Sequence, residues 1–134
     1  MKVIVFSPHP DDAETVMGGT IAKYARQGHD VMLVLVTIPN DKEARRKESE
    51  QSAALLGARL TVLDIDKYRL TYNRRLVEKF DKIIHDFAPD IIFTSWINEA
   101  HQDHVIVSQA TIAAARKNTP PSILAAFTGG VNSP

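Results

Sequence analysis

The sequence predicts an α/β fold, a Rossmann-like three-layer arrangement in which helices cover both faces of a parallel sheet. Short, continuously apolar runs alternate along the chain with longer segments whose apolar residues recur at helical spacing. The chain has 134 residues, the length of one domain with a sizeable core. Crossovers between parallel strands are right-handed, and the strand order expected for this pattern is 3-2-1-4-5.

The N-terminal part contains two strands that are apolar enough to be buried on both faces of a sheet. Val3–Phe6 is the first of them, and Val31–Thr37 is the second. Between them, Thr15–Gln27 carries apolar residues at helical spacing and is followed by Gly28, a common helix stop. Pro39 then breaks the second strand. This part therefore reads as strand, helix, strand.

The rest of the chain repeats the alternation. Gly57 and Pro89 are expected to end two further helices, because glycine and proline rarely continue one. The predicted elements are a helix at Lys42–Leu56, a strand at Arg59–Ile65, a helix at Asn73–Phe87, a strand at Asp90–Ser95, a helix at Val105–Lys117 and a strand at Ser122–Phe127. Together these elements complete one α/β domain.

Charge and composition exclude several classes of function. Lysine and arginine together number 16, as do aspartate and glutamate, so the net charge is zero. A neutral chain gives no electrostatic case for binding nucleic acid or an anionic membrane, and neither is expected as a partner. The absence of cysteine excludes disulfides and thiolate metal ligands and suits a reducing compartment. The first apolar run is too short for a signal peptide or a membrane span, so we expect a cytoplasmic protein.

Two clusters of polar side chains follow the first and fourth predicted strands. The first cluster is His9, Asp11 and Asp12, and the second is Glu99, His101, Asp103 and His104. Strands one and four are neighbours in the predicted order, and ligands of such folds bind beyond the carboxyl ends of the strands. The two clusters should therefore face one crevice. The remaining histidines, His29 and His85, lie in a turn and near a helix end, where structural or solvated roles are expected.

A bound metal explains adjacent carboxylates at this position. Neutral imidazole and carboxylate are zinc ligands, and a catalytic zinc takes three protein ligands and leaves one position for water. His9 and Asp12 are three residues apart and share a face in a helical turn, so both can reach one metal. Asp11 projects differently and is free to accept a proton from the attacking water. His101 and His104 repeat the spacing, so one can complete the metal site while the other faces the reacting group.

Three rival sites fit the pattern less well. A dinucleotide pocket needs glycines directly after the first strand, whereas SPHPDD is glycine-free and its acids repel phosphate. Two histidines and a carboxylate can also hold Fe2+ for oxygen chemistry, but a second free acid beside them favours hydrolysis. A magnesium-binding phosphoacceptor site built from Asp11, Asp12 and Asp64 leaves the histidines idle and lacks a lysine after the fifth strand. Zinc is therefore the expected cofactor, with Fe2+ as the alternative.

The motifs resemble those of a known family. PHPDDAE followed by GGT, and later HQDH, are similar to motifs of the PIG-L/LmbE-like family of metal-dependent N-acetylglucosaminyl deacetylases. The segment RRKESEQSAALLGA also looks like the family's Arg-x-x-Glu helix ending in Leu-Gly, and the resemblance covers most of the chain. It implies that His9, Asp12 and His104 bind zinc.

The resemblance also implies the remaining roles and the substrate. Asp11 would act as general base, and His101 would stabilise the oxyanion or protonate the leaving amine. Asp103 is added on chemical grounds and not from the resemblance: its carboxylate can orient a neighbouring histidine, and it completes the predicted catalytic group. Arg45 lies where the family often has a substrate-contacting arginine. The expected activity is hydrolysis of the N-acetyl amide of a small amino-sugar conjugate with release of acetate, and homo-oligomers are frequent in similar families.

The chain departs from the family pattern at two points. The first acid of the acid-x-His-x-Asp-His run is Glu99, where many members have aspartate. Members also usually continue well beyond the fifth strand, and that portion helps to wall the sugar pocket. Residues 1–134 are therefore expected to form a single deacetylase domain with complete metal loops that lacks the C-terminal portion. The alternative expectation is a degenerate domain that binds a metal without catalysis.

Overall fold

The computed structural model describes residues 1–117 and 123–127 of the chain. Its elements in chain order are β1 (Lys2–Ser7), α1 (Asp12–Arg26), β2 (Asp30–Leu35), α2 (Lys42–Leu56), β3 (Arg59–Val62), α3 (Arg74–Phe87), β4 (Ile91–Ser95), α4 (Gln102–Lys117) and β5 (Ile123–Phe127). In this part of the chain the strands form one parallel sheet with the order β3-β2-β1-β4-β5. The predicted fold class and strand order are confirmed. Ser122, the first residue predicted for the fifth strand, lies outside the described residues.

The central strand β1 supplies side chains to both layers of the core. Val3 and Val5 belong to a cluster with residues of α1 and α2, while Ile4 and Phe6 belong to a cluster with residues of α3 and α4. This division arises because successive side chains of a strand point to opposite faces of the sheet. The rings of Phe6 and Phe80 stack with centroids 4.5 Å apart. The apolar run is thus buried on both sides, and β1 is held firmly at the centre of the sheet.

The pairing of β1 with β4 determines where the site forms. The two strands are parallel, with Val5 opposite Phe93. β1 ends at Ser7 and β4 ends at Ser95, so the segments after both strands leave the sheet at the same edge. The two polar clusters are thereby brought together, as expected for neighbouring parallel strands.

Two helices begin earlier than the sequence predicted. α1 begins at Asp12 instead of Thr15, and α4 begins at Gln102 instead of Val105. Acidic side chains are favourable in a first helical turn, where they offset the positive end of the helix dipole, so polar residues extend both helices. Asp12 and His104 therefore lie in first helical turns, which position side chains more accurately than loops do.

The remaining elements lie close to their predicted positions. α2 has the predicted bounds, and Gly57 ends it with a φ of 81°, a left-handed conformation that glycine adopts without steric cost. Asn73 caps α3 because its side-chain oxygen accepts a hydrogen bond from the Leu76 amide. Among the described residues, no helix is long and apolar enough to cross a bilayer.

Candidate metal centre

The turn between β1 and α1 brings His9 and Asp12 into direct contact. The backbone N–H of His9 donates to Oδ2 of Asp12 over 2.9 Å. Nδ1 of the same histidine lies 3.1 Å from that oxygen. Two atoms of His9 therefore converge on one carboxylate oxygen, and both side chains are partly buried.

His104, in the first turn of α4, reaches the same oxygen. Its Nε2 lies 3.1 Å from Oδ2 of Asp12, and its side chain is only 10% exposed. The ligand atoms of His9, Asp12 and His104 all lie within 4.8 Å of one another. Two neutral imidazoles and one carboxylate are donors typical of a catalytic zinc, and the same donors suit Fe2+. These residues therefore fit the metal that the sequence predicts.

The second nitrogen of each imidazole contacts a further carboxylate. Nε2 of His9 lies 2.7 Å from Oδ2 of Asp103, and Nδ1 of His104 lies 3.2 Å from Oε2 of Glu99. A carboxylate behind a histidine ligand fixes the orientation of the ring and holds the proton on the nitrogen that faces it. Each ring thus lies between two carboxylates, and a bound metal would take the unprotonated nitrogen on the side of Asp12 while the proton stays on the side of Asp103 or Glu99.

Charges within the cluster shift the pKa values of its members. Burial by itself lowers the pKa of His9, but hydrogen bonds and charges from Asp12 and Asp103 outweigh it and raise the pKa above 6.5. Burial likewise opposes protonation of His104, and Asp12 and Glu99 raise its pKa. Burial favours the protonated form of Asp12, yet His104 and His9 hold the pKa of its carboxyl well below the usual range. A cation that binds here must therefore displace protons from the imidazoles.

His101 lies beside these histidines but makes different contacts. Its Nδ1 accepts a hydrogen bond from the backbone N–H of Asp103 over 3.1 Å. Its exposed ring stacks on that of His104, with centroids 5.0 Å apart. In the neutral ring the proton therefore resides on Nε2, which makes that nitrogen a hydrogen-bond donor. His9, His101 and Asp103 also place ligand atoms within 4.8 Å and form a second candidate metal group.

Asp11 has surroundings unlike those of Asp12. Its φ of 74° lies in the left-handed region, and its side chain accepts no capping hydrogen bond from α1. The carboxylate is 65% exposed, and its Oδ2 lies 3.9 Å from Nη2 of Arg45. Among the described residues, neither candidate metal group contains Asp11. The two neighbouring acids thus occupy different environments.

Two cavities are lined in part by residues of the two polar clusters. One, of about 730 Å³, is lined by Asp11, Arg45 and other charged residues at the start of α2. The other, of about 570 Å³, is lined by His101, Asp103 and Tyr68, whose ring is largely exposed. The side chains predicted to perform chemistry therefore open onto space that a small molecule can enter.

Asp64 does not belong to the cluster. Its Oδ1 is paired with Nζ of Lys42 at 3.1 Å, and neither metal group in the described part of the chain includes it. The magnesium phosphoacceptor alternative needs Asp64 beside the two acids that follow β1, so this arrangement gives it no support. His29 contacts the N-terminal amine at 3.0 Å, and His85 is exposed, so both also lie outside the cluster.

Sequence reasoning missed two kinds of supporting residue. The sequence places Glu99 in the second cluster without indicating a function, whereas in the structure its carboxylate contacts the second nitrogen of His104. Ser7 and Ser95 donate hydrogen bonds to the carbonyl oxygens of His9 and His104. Serine at a strand end is common, so the sequence contains no signal for these two contacts.

Known proteins are similar to this chain in both sequence and fold. The diacetylchitobiose deacetylase of Thermococcus kodakarensis is 32% identical over 119 residues, which cover 77% of this chain and 45% of that protein. The solved N,N'-diacetylchitobiose deacetylase from Pyrococcus horikoshii is 31% identical, with a TM-score of 0.78 over 86% of this chain and 49% of that one. This chain therefore spans about half the length of the two deacetylases.

A third relative supports the fold, and a family model supports the ancestry. A conserved protein from Thermus thermophilus has a TM-score of 0.88 over 98% of this chain and 67% of that one, and its 24% identity shows the fold alone. The model of the PIG-L family, described as GlcNAc-PI de-N-acetylase, matches residues 4–115. That match covers both polar clusters and most of the sheet, and on this ground the chain belongs to the PIG-L family.

Proposed function

We propose that this chain is a zinc-dependent N-deacetylase that acts on an N-acetylglucosamine-type conjugate. The observation that carries the proposal is that one oxygen, Oδ2 of Asp12, lies 3.1 Å from a ring nitrogen of each of two histidines, one in the turn after β1 and one in the first turn of α4. This oxygen, His9 Nδ1 and His104 Nε2 together make three ligand atoms. The fourth position of a tetrahedral zinc site would remain open. The family's description and the deacetylase relatives support the choice of reaction.

His9, Asp12 and His104 are the proposed ligands, in preference to the group of His9, His101 and Asp103. In the preferred group each histidine has a carboxylate behind its ring, which is the usual surrounding of a metal-bound histidine. In the other group Asp12 would stand behind His9, but the second nitrogen of His101 faces the backbone N–H of Asp103 and not a carboxylate. That group also includes the exposed His101.

Asp11 is the proposed general base. When bound, zinc would polarise the acetyl carbonyl and make a coordinated water more acidic. The Asp11 carboxylate is accessible and does not cap α1, so it is free to accept a proton from the attacking water. The oxygen of that water then adds to the acetyl carbonyl carbon. The mechanism thus assigns the two adjacent acids different work: Asp12 binds and Asp11 moves a proton.

His101 is the proposed acid. Its Nε2–H can donate to the oxyanion that forms when water adds. As the C–N bond breaks, His101 can give a proton from this nitrogen to the amine and regain one from Asp11, which holds the proton taken from water, so both side chains return to their starting states. The products are acetate and a free amino sugar. Asp103 holds His9 by its carboxylate and His101 by its backbone N–H, so we assign it a positioning role.

The proposed substrate is a small N-acetylated amino-sugar conjugate. The relatives from Thermococcus kodakarensis and Pyrococcus horikoshii are described as deacetylases of diacetylchitobiose, whose acetyl groups are carried on amino sugars. Arg45 borders the same cavity as Asp11 and offers guanidinium donors to the polar groups of such a sugar. We therefore propose Arg45 as a substrate contact.

Metal content measured together with acetate release tests the proposal. The purified chain should bind about one Zn2+ and should release acetate from members of a panel of N-acetylglucosaminides. Chelation should abolish turnover, and added Zn2+ should restore it. Oxygen-dependent turnover with Fe2+ would contradict the zinc assignment. Zinc binding without acetate release from any member of the panel would contradict the proposed reaction while leaving the metal site intact.

A further inference from the structure

We propose that Ser7 and Ser95 are positioning residues that set the affinity of the metal centre. The inference rests on the zinc site proposed above, but it concerns side chains outside the ligand set. Each serine is the last residue of one of the two strands that border the crevice. Each is almost completely buried, and each hydroxyl bonds to the backbone of a proposed ligand histidine.

Ser95 ties the start of α4 to the end of β4. Its Oγ donates to the carbonyl oxygen of His104 over 2.6 Å, a short distance for a hydroxyl donor. This bond fixes the backbone of His104 against the sheet, and the contact with Glu99 fixes its ring. The two contacts together determine where Nε2 of His104 lies.

Ser7 holds both ends of the segment that contains the other two ligands. Its Oγ donates to the carbonyl oxygen of His9 over 2.8 Å and accepts the backbone N–H of Ala13 over 3.1 Å. Ala13 directly follows Asp12 in the chain. One buried hydroxyl thus spans the turn from His9 to Asp12, and it sets the separation of these two ligands.

The two serines connect all three ligands to one rigid support. β1 and β4 are paired strands, so the hydroxyls at their ends are held at a fixed separation by the sheet. Zinc sites depend on such precision because ligand distances vary by only about 0.2 Å. Loss of either hydroxyl removes no ligand, but it makes the backbone positions of the ligands on one side of the site less constrained. Metal affinity should therefore fall, although no ligand is removed.

Thr94 provides a matched control for Ser95. Its Oγ1 lies 3.0 Å from Oγ1 of Thr111, so it also connects β4 to α4 through a buried hydroxyl. Thr111 lies about two helical turns beyond His104 and donates to the carbonyl oxygen of Val107. Thr94→Val removes a buried hydrogen bond between the same two elements, β4 and α4, but leaves the backbone of every proposed ligand untouched.

The experiment measures zinc affinity by competition with a chromophoric chelator, and stability by urea unfolding of the metal-free chain. Ser95→Ala and Ser7→Ala are each expected to bind Zn2+ about 10–100-fold more weakly than the unaltered chain, the range seen when outer contacts of a metal ligand are lost. Thr94→Val is expected to lose stability and to keep the zinc affinity of the unaltered chain.

Unchanged zinc affinity in the serine variants would overturn the inference and would show that the hydroxyls support only the fold. An equal loss of affinity in Thr94→Val would overturn it as well, because general loosening of β4 against α4 would then explain the effect. If one serine variant fails to fold, the other decides, since each serine holds different ligands. An unaltered chain that binds no Zn2+ would instead overturn the proposed function, so the two failures are distinguishable.

Discussion

Nε2 of His9 lies 2.7 Å from Oδ2 of Asp103, although 94 positions separate the two residues in the chain. The pair joins the segment after β1 to the first turn of α4. It also leaves Nδ1 of His9 directed at Asp12, 3.1 Å away. In the proposed site one side of the ring would bind the metal and the other contacts a carboxylate, so substitutions on the two sides should have different effects.

Substitutions of the two histidines of HQDH should affect zinc binding and turnover separately. His104→Ala removes one of three proposed ligands and should lose most of the bound zinc. His101→Ala removes only the exposed donor, so it should keep the zinc and lose turnover. Zinc stoichiometry and acetate release measured on both variants check this. If the two variants retain equal amounts of zinc, the assignment of ligand and acid within this motif is wrong.

Substitutions of Asp11 and of Asp12 should also have different effects, the first on turnover and the second on zinc binding. Asp11→Asn keeps the shape and tolerates the left-handed backbone, since asparagine is among the residues that adopt it. It cannot accept a proton, so turnover should fall by about 10²–10⁴-fold with zinc content unchanged. Asp12→Asn should instead weaken zinc binding, and excess Zn2+ should restore part of its activity. A metal-free Asp11→Asn chain beside a fully loaded, inert Asp12→Asn chain would reverse the two assignments.

Glu99 should act on the metal through His104. Glu99→Ala removes the carboxylate that lies 3.2 Å from Nδ1, and we expect zinc affinity to fall by about 10–100-fold. Glu99→Gln retains an acceptor for the imidazole N–H and should show a smaller loss. Chelator competition on both variants measures the difference. Identical losses in the two variants would argue against ring orientation as the cause.

Stability of the metal-free chain should decrease as the pH rises through neutrality. Neighbouring carboxylates raise the pKa values of His9 and His104. The stabilisation that the two protonated rings contribute is therefore fully present below about pH 6.5, the pKa of histidine in the unfolded chain. It is lost as the pH passes the raised values and the imidazoles lose their charge. Zinc-loaded protein should show no such decrease, because the metal requires neutral imidazoles.

Urea unfolding across a pH series measures this effect, with and without a chelator. His85→Ala is the matched control, since that histidine is exposed and lies outside the cluster, and its pH profile should match that of the unaltered chain. His104→Ala should flatten the decrease. A metal-free chain whose unfolding free energy rises from pH 6 to pH 8.5 would contradict the assigned pKa directions.

The fold was predictable because its determinants are local. The apolar run of β1 and the stop at Gly57 are visible in a few consecutive residues, and the strand order follows a general rule of α/β domains. The starts of α1 and α4 were predicted too late, because both helices open with polar residues that lie outside the apolar periodicity. Polar first turns are stabilised by charge and dipole, which periodicity does not register.

The site was predictable only to the level of residue type. Spacing grouped His9 with Asp12, and the structure places them in contact. The contacts of Glu99 and of the two serines depend on how separate segments pack, and a one-residue change in register would alter them. The sequence identifies residues able to support a metal, but packing selects which of them meet.

The pairing of β1 with β4 has a consequence for the order of assembly. His9 and Asp12 are synthesised first, whereas His104 follows three further strands and three helices. Contacts between such distant segments form late, because closing a long loop carries an entropic cost. Metal uptake should therefore follow the docking of β4 and α4 rather than direct it. Once bound, the ion would join the two ends of that loop and oppose unfolding by mass action.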